Sequence, residues 1–315
     1  MRPMIAIPIA LTILARAYLR RSLTPLGLLA AAVTATIHAL HPSALPFTLL
    51  LVFFVLGTSA TKVKHEVKAT LTLSSSGSSG GEGPRTSIQV LANSACASIL
   101  CVVHVWFYGV GGTPAVCYGA GKNDALRDVL LLGIIANYAA VTADTLSSEL
   151  GILSKSQPVL ITNPFRSVPK GTNGGVTLAG LLAGAGGGAA IAATSLLFLT
   201  FCASSTLNAA STFLLLTALG TAGTLLDSLL GALLQASVVD RRTGKIVEGP
   251  GGLKVLTNPR TKFQKQSDGP ARRLSGEESR LINSGTDILD NNQINFLMAS
   301  IITISGIVGG NLLSR

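Results

Sequence analysis

The chain has 315 residues, of which only 12% are charged and 48% are hydrophobic, and its mean hydropathy is +0.54. Soluble domains usually carry about 25% charged residues, so this composition excludes an ordinary soluble protein and predicts a polytopic membrane protein. The formal net charge of +10 would suggest nucleic-acid binding in a soluble domain, but here the positive residues lie in loops between apolar segments, which argues for membrane topology and against a nucleic-acid partner.

Eight apolar segments follow one another along the chain. They lie at about residues 3–19, 25–40, 45–61, 88–109, 127–146, 174–201, 209–238 and 292–313. A spanning helix needs roughly 20 apolar residues, and the last five segments meet that requirement. The first three are short and interrupted by prolines, so residues 25–61 cross the membrane twice or form a re-entrant hairpin. We predict an all-α bundle of about seven or eight transmembrane helices, with residues 1–315 in a single membrane domain.

The charges of the loops predict the orientation of the bundle. If all eight segments cross the membrane, 20 of the 24 Lys and Arg residues fall in the loops on one side. Positively charged loops face the cytosol, so we place this side there and both chain ends opposite. Two cytosolic loops are polar inserts: a flexible Ser/Gly-rich insert at 70–86 and a basic loop at 239–290, which we expect to be partly disordered.

The N-terminal segment indicates the membrane in which the protein resides, and the spacing of the cysteines indicates their redox state. No cleavable signal pattern follows the first apolar segment, and no Ser/Arg-rich transit peptide precedes it, so we expect the endoplasmic reticulum or another endomembrane. The cysteines are Cys96, Cys101, Cys117 and Cys202. Three lie in apolar segments and none forms a CxxC pair, so we expect small buried thiols and no disulfide framework.

The stretch from Asn137 to Gly151 is the one around which we expect the chain to be organised. It carries Asp144 and Glu149. An unpaired charge in hydrocarbon costs at least about 2.5 kcal/mol at a helix centre, so such residues persist mainly when they bind something. On a continuous helix these two side chains point about 140° apart. The helix must therefore end between them if both hold one metal ion.

Glycines mark the next two apolar segments. The turn at residues 171–175 opens the sixth segment, where it would present backbone N–H groups to an anion at a helix N-terminus. A tandem GxxxG pattern in the same segment predicts close helix packing. The pattern consists of Gly180, Gly184 and Gly188. In the seventh segment Gly223 and Gly231 flank Asp227 on one helix face, so we expect space beside that carboxylate.

The predicted topology gathers polar residues from several segments at the cytosolic face. Carboxylates hold Mg²⁺, which favours one or two of them together with phosphate oxygens, and Lys and Arg neutralise phosphates. These are the parts of a phosphoryl-transfer site. The candidate catalytic and metal-binding residues are Asp144, Glu149 and Asp227. The candidate substrate- and phosphate-binding residues are Lys62, Lys68, Arg85, Asn93, Lys170, Asn173, Gly174 and Asn295.

Five stretches of the chain resemble the transmembrane protein 19 family of integral membrane proteins. They are Gln89–Asn93 (QVLAN), Ala143–Gly151 (ADTLSSELG), Val168–Val176 (VPKGTNGGV), Gly223–Ala232 (GTLLDSLLGA) and Asn291–Phe296 (NNQINF). The plant branch of that family includes the chloroplast phytyl-phosphate kinase of tocopherol synthesis. The resemblance implies a prenyl-monophosphate kinase or another lipid phosphotransferase, with an isoprenoid or membrane lipid phosphate as its partner.

The first hypothesis is therefore a membrane kinase that uses a nucleoside triphosphate and Mg²⁺ at the cytosolic face, with the lipid tail between the glycine-lined helices. Two alternatives stay open. A transporter or ion exchanger would use Asp144 and Asp227 as a cation site, although no internal repeat of the usual transporter kind is evident. A non-catalytic membrane protein would act through the basic loop at 239–290. The sequence does not predict the oligomeric state.

Overall fold

The computed structural model describes residues 3–80, 83–110, 117–119, 125–203, 205, 208–257 and 279–313. Within these ranges the chain forms nine α-helices, eight of which match the predicted apolar segments. The helices are α1 (Pro3–Leu19), α2 (Pro25–Leu40), α3 (Leu45–Lys62), α4 (His65–Leu71), α5 (Ser87–Tyr108), α6 (Ala125–Gly151), α7 (Leu178–Leu196), α8 (Ala209–Leu234) and α9 (Asn291–Leu313). The prediction of an all-α multi-pass membrane bundle is confirmed.

Six of the helices in the described ranges are long and apolar enough to cross a membrane, namely α3 and α5 to α9. The helices α1 and α2 are shorter, with 17 and 16 residues. The α2–α3 hairpin nevertheless runs along most of α5. It starts where Thr24 N donates to Arg85 O at 3.0 Å. At its tip the His41 ring contacts His104, near the end of α5, with ring centroids 4.1 Å apart and the ring planes tilted by 47°.

Helix α6 lies at the centre of the bundle, as the sequence predicts. All but one of the residues from 127 to 143 are buried, because α3, α5, α7, α8 and α9 pack around this helix. A helix that is enclosed in this way has to be apolar on every face. Two of its buried polar side chains are satisfied, since Tyr138 Oη lies 2.7 Å from His38 Nε2 and Asn137 Nδ2 donates to Asn93 O at 3.0 Å.

Glycines allow α7 to pack closely against α6, which confirms the prediction from the GxxxG pattern. A Cβ atom on Gly184 would lie 3.1 Å from the Ala143 carbonyl oxygen, and one on Gly187 would lie 3.0 Å from the Thr142 carbonyl oxygen. On the far side, a Cβ on Gly188 would meet Gly220 of α8 at 3.4 Å. These helices therefore approach almost backbone to backbone.

Three small β-sheets join the loops at one end of the bundle. The strands are β1 (Leu73–Ser74), β2 (Val159–Leu160), β3 (Asn163–Ser167), β4 (Gly175–Val176), β5 (Ser237–Asp240), β6 (Val247–Glu248) and β7 (Arg280–Ser284). β1 is parallel to β6, β2 is antiparallel to β3 and β4, and β5 is antiparallel to β7. The predicted inserts at 70–86 and 239–290 thus contain paired strands, and their residues 81–82 and 258–278 lie outside the described ranges.

At the other end of the bundle a disulfide joins Cys117 to Cys202. The expectation that no disulfide would form is therefore wrong. The two cysteines are 85 residues apart in sequence, and only the folded helices bring their loops together. Tyr118 N donates to Thr200 O at 2.6 Å and Cys202 N donates to Tyr118 O at 3.0 Å, so the two loops also share a short β-bridge.

We expect only two of the four cysteines to react with a polyethylene glycol-maleimide when the protein is denatured without reductant, because Cys96 and Cys101 are thiols. All four should react after reduction. The variant Cys117→Ser is the matched control, since it should free its partner and give three reactive thiols without reductant. The shift in gel mobility counts the modified cysteines, and four modifications in the unreduced wild type would contradict the disulfide.

Candidate functional site

A cavity of about 430 Å³ opens at the end of the bundle where α3 and α6 end and α5, α7 and α9 begin. Ten of the eleven residues predicted for the site line it, which leaves out only Lys62. Lys62 is exposed at the last position of α3, whereas its neighbour Thr61 lines the cavity. Successive residues on a helix point about 100° apart, so Lys62 lies to one side of the site.

Asp144 of α6 and Asp227 of α8 face the same cavity. Thr224, one turn before Asp227, donates to Asp144 Oδ1 at 3.4 Å. The amide of Asn295 faces Asp227 and, in the orientation that satisfies both groups, donates to its Oδ2 at 3.1 Å. Among the described residues no Lys or Arg forms an ion pair with either carboxylate. Two neighbouring carboxylates with only neutral donors favour the binding of a cation.

Glu149 has a different environment from the two aspartates. Its Oε2 forms an ion pair with Lys68 Nζ at 2.5 Å, and its Oε1 accepts from Thr61 Oγ1 at 2.7 Å. Helix α6 continues without interruption through Asp144 and Glu149 to Gly151. The helix does not end between Asp144 and Glu149, as it would have to if both side chains held one metal ion.

The structure does not support one metal ion held by all three carboxylates. In the described part of the chain no group of three His, Cys, Asp or Glu side chains is arranged to hold a metal. Asp144 and Asp227 remain the candidate pair. The charge of Lys68 is already offset by Glu149, and its Nζ also donates to Ala60 O at 2.9 Å, so this pair stabilises the wall of the cavity.

We expect Glu149→Leu to lower the free energy of unfolding by about 3–5 kcal/mol, because it leaves the Lys68 charge buried without a partner. The double variant Lys68→Met/Glu149→Leu should regain most of this loss, since hydrophobic replacement of a buried pair is often neutral. Thermal unfolding with and without Mg²⁺ measures both effects. Loss of the Mg²⁺-dependent stabilisation in the double variant would instead identify Glu149 as a metal ligand.

Arg85 and Lys170 are the cations of the cavity that have no acidic partner among the described residues. Arg85 Nη2 donates to Thr61 Oγ1 at 3.1 Å, and Lys170 Nζ donates to Ser154 O at 2.6 Å. Arg85 immediately precedes α5, whose start is fixed by a capping box in which Thr86 and Gln89 satisfy each other's backbone N–H groups. Both cations are therefore held at the cavity with donor capacity left for an anion.

The glycine turn at 171–175 differs from its prediction. It precedes α7 and leads into β4, while the N-terminus of α7 is capped by Thr177, whose Oγ1 accepts from Gly180 N at 3.0 Å. The predicted anion site at a helix N-terminus is therefore not supported. Asn173 and Gly174 instead hold the turn against α8: Asn173 Nδ2 donates to Ala236 O at 3.2 Å, and a Cβ on Gly174 would lie 2.6 Å from the Ser228 carbonyl oxygen.

Several lining residues were not predicted from the sequence. They are Thr61, His65, Thr224 and Glu248. Thr224 could have been found from its position one turn before Asp227. Glu248 gives no sequence signal, because it reaches the site only through the pairing of β6 with β1.

Away from these polar groups the cavity continues between α1, α2 and α3, where most of its lining is apolar. Asn93 of α5 lies between the two parts, with its Nδ2 donating to Gln89 O at 2.9 Å. The glycines in the middle of α7 bring this helix close to α6 and α8, whereas Gly180 near its start lines the cavity. The expectation that a lipid tail lies between the glycine-lined helices stays a prediction.

Comparison with known proteins identifies relatives over nearly the whole chain. A family model described as integral membrane protein DUF92 matches residues 8–303. Protein PGR of Arabidopsis thaliana is 37% identical over 96% of this chain and 95% of its own length. An uncharacterized membrane protein of Methanocaldococcus jannaschii is 36% identical over 59% of this chain and 64% of its own length.

A third relative is Protein VTE6, chloroplastic, of Arabidopsis thaliana, which is 33% identical over 44% of this chain and 36% of its own length. No solved structure matches the chain.

Proposed function

Because this chain belongs to the DUF92 family of integral membrane proteins, we propose that it is a membrane phosphotransferase that phosphorylates an isoprenoid or related lipid monophosphate. One observation carries the proposal: two carboxylates and two cations without ionic partners among the described residues line a cavity that continues into an apolar channel. A lipid phosphate has a negatively charged group that suits the two cations and an apolar tail that suits the channel. The resemblance to the transmembrane protein 19 family, with its plant phytyl-phosphate kinase, supports the same substrate class.

In this proposal Asp144 and Asp227 would hold Mg²⁺, an ion that commonly binds one or two protein carboxylates together with phosphate oxygens. The ion would neutralise charge on the phosphoryl group that is transferred. The fit rests on the two carboxylates, which are hydrogen-bonded by Thr224 and Asn295 and have no Lys or Arg ion-pair partner among the described residues. The nucleoside triphosphate is the co-substrate.

In this proposal Arg85 and Lys170, which line the same cavity as the carboxylates, bind phosphate oxygens. Phosphoryl transfer needs little covalent chemistry from the protein, so positioning and charge neutralisation supply most of the catalysis. Asn93 and Asn295 orient ligand oxygens. The surrounding helices exclude bulk water, which strengthens these electrostatic interactions.

The disulfide supports the predicted orientation. Disulfides persist in oxidising compartments, and the Cys117–Cys202 bond lies at the end of the bundle opposite the cavity. The cavity would therefore face the cytosol and the disulfide the lumen, in the endoplasmic reticulum or another endomembrane.

Phosphate transfer by the purified, detergent-solubilised protein tests the proposal. Phytyl, geranylgeranyl and farnesyl monophosphates are supplied with Mg²⁺ and each nucleoside triphosphate, and the lipid diphosphates are separated and quantified. We expect a diphosphate product that disappears when EDTA removes the metal. A folded protein that forms no product from any combination would overturn the proposal.

A cation transporter is the second candidate, because Asp144 and Asp227 lie on helices long enough to cross the membrane. It predicts a cation flux into liposomes that depends on Asp227 and needs no nucleotide. The assay therefore separates the two functions by their nucleotide requirement.

A further inference from the structure

We propose that α1, α2 and α3 form a channel for a single isoprenoid tail and that Phe47 is the floor that limits the length of this tail. The inference rests on the proposed function, from which it takes the phosphate group of the ligand. It adds the position of the ligand's tail and the residue that limits the length of this tail. Each helix contributes one face to the channel. The lining residues of α1 are Ala10, Ile13, Leu14 and Ala17, those of α2 are Ala31, Thr34 and Ala35, and those of α3 include Phe47, Leu50, Leu51 and Phe54.

The spacing of these residues shows that the channel runs along the helices. The lining positions of α1 follow the i, i+3, i+4, i+7 pattern of a single helix face, and Phe47, Leu50, Leu51 and Phe54 of α3 follow the same pattern, with Phe53 beside them. The lining faces of α1, α2 and α3 lead to the polar end of the cavity. Leu23 and Val90 line the same cavity as Arg85. The charged and apolar parts are thus one continuous space, as an amphipathic ligand with one charged end requires.

The depth of the channel matches one leaflet of a bilayer. Phe47 lies fourteen residues before Thr61 on α3, which corresponds to about 21 Å at 1.5 Å per residue. A bilayer is about 40–45 Å thick including its headgroup regions, so one leaflet with its headgroups accounts for about 20–22 Å. A tail that spans one leaflet fits this depth when its phosphate lies at the polar end.

Phe47 closes the far end of the channel. It is the lining residue nearest the start of α3, and it is completely buried, with 0% of its surface exposed. Between Phe47 and the polar end, the channel is lined by the small side chains of Ala10, Ala17, Ala31 and Ala35, which take up little of its width. A tail can therefore slide past the alanines but stops at the Phe47 ring.

Helix α1 gives the tail a route from the bilayer. It packs mainly against α2, and its remaining faces are exposed, with Met4 at 88% and Leu19 at 79%. A helix with one principal packing partner is displaced more easily than the central helices. The ligand thus reaches the channel sideways from the membrane without crossing water.

Two opposite substitutions test the floor and the width. Phe47→Leu should raise the ratio of kcat/KM for geranylfarnesyl monophosphate, which is one isoprene unit longer, over geranylgeranyl monophosphate about tenfold, a change typical of altered pocket size. Ala35→Leu should narrow the channel and shift the preference about tenfold toward geranyl monophosphate. The matched controls are Phe296→Ala on α9, which is 45% exposed, and Ala32→Leu on α2, because neither residue lines the cavity.

A binding measurement separates this proposal from the proposed function. The thermal stabilisation of each variant by prenyl monophosphates of increasing length is measured without nucleotide. Stabilisation whose length dependence shifts with Phe47→Leu and Ala35→Leu supports the channel even if no phosphate transfer is found. If transfer and binding depend on tail length in the same way in both variants and in wild type, the proposed channel is wrong. The proposed phosphotransferase function would not be affected by this result.

Discussion

Replacing Asp144 by Asn should lower the rate of phosphate transfer by at least about 100-fold, because removal of one preorganised electrostatic group from a catalytic site typically costs about 10²–10³ in kcat. The amide keeps the shape of the side chain and can still accept the hydrogen bond from Thr224, so the fold should be unchanged. Asp227→Asn should have a comparable effect, since both carboxylates face the same cavity. Initial rates of diphosphate formation at saturating Mg²⁺ measure the loss.

Thermal stability distinguishes this loss of function from misfolding. Without ligand, Asp144→Asn should be at least as stable as wild type, because it removes a charge that has no ionic partner among the described residues. The stabilisation by Mg²⁺ should be lost.

The matched control for the aspartate variants is Asp287→Asn, whose carboxylate pairs with Lys254 at 3.1 Å on the surface. Such exposed pairs contribute about 0–1 kcal/mol, so both activity and stability should be retained. An Asp144→Asn protein that transfers phosphate at the wild-type rate would exclude the proposed role of this carboxylate.

Replacing Gly187 by Val should destabilise the bundle by about 1–3 kcal/mol or more, as expected when a larger side chain is forced into a close-packed contact. A Cβ at this position would lie 3.0 Å from the Thr142 carbonyl oxygen and 3.1 Å from the Ala143 backbone. The backbone of α6 cannot yield as a flexible side chain can, so α7 has to move away from it. The midpoint of thermal unfolding in detergent should fall accordingly.

The neighbouring residue provides the control for this prediction. Gly186 is on the same helix, but a Cβ there would meet nothing within 4 Å. Gly186→Val therefore makes the same chemical change without the steric conflict, and its unfolding midpoint should stay close to that of wild type. Equal destabilisation by the two substitutions would show that helix propensity, and not the α6–α7 contact, decides the effect.

Much of the fold and of the site could be predicted from the sequence, because both depend on local patterns. The length of the apolar segments predicts the helices, and the positions of the loop charges predict which helix ends lie together. Asp144 and Asp227 therefore reach one cavity with Arg85 and Lys170, as expected. The GxxxG spacing predicts close packing because it depends only on helix periodicity.

The features that the sequence did not predict depend on long-range pairing. The Cys117–Cys202 disulfide forms only because the α5–α6 and α7–α8 connections meet, and Glu248 reaches the cavity only because β6 pairs with β1. The role of the glycines was hard to predict for a different reason. Glycines can create space or close contact, and only the positions of the neighbouring backbones decide between the two.

The disulfide also determines how the bundle can deform. It ties the α5–α6 connection to the α7–α8 connection, and Arg127 Nη2 adds a hydrogen bond to Cys117 O at 3.2 Å. These four helices are thus held together at the end opposite the cavity, so a relative tilt would separate them most at the cavity end. Helix α8 has 26 residues and is about 39 Å long, so a tilt of about 3° around the tied end moves its other end by about 2 Å. A small tilt of α8 around the tied end would therefore change the width of the cavity mouth, although the covalent bond lies far from it.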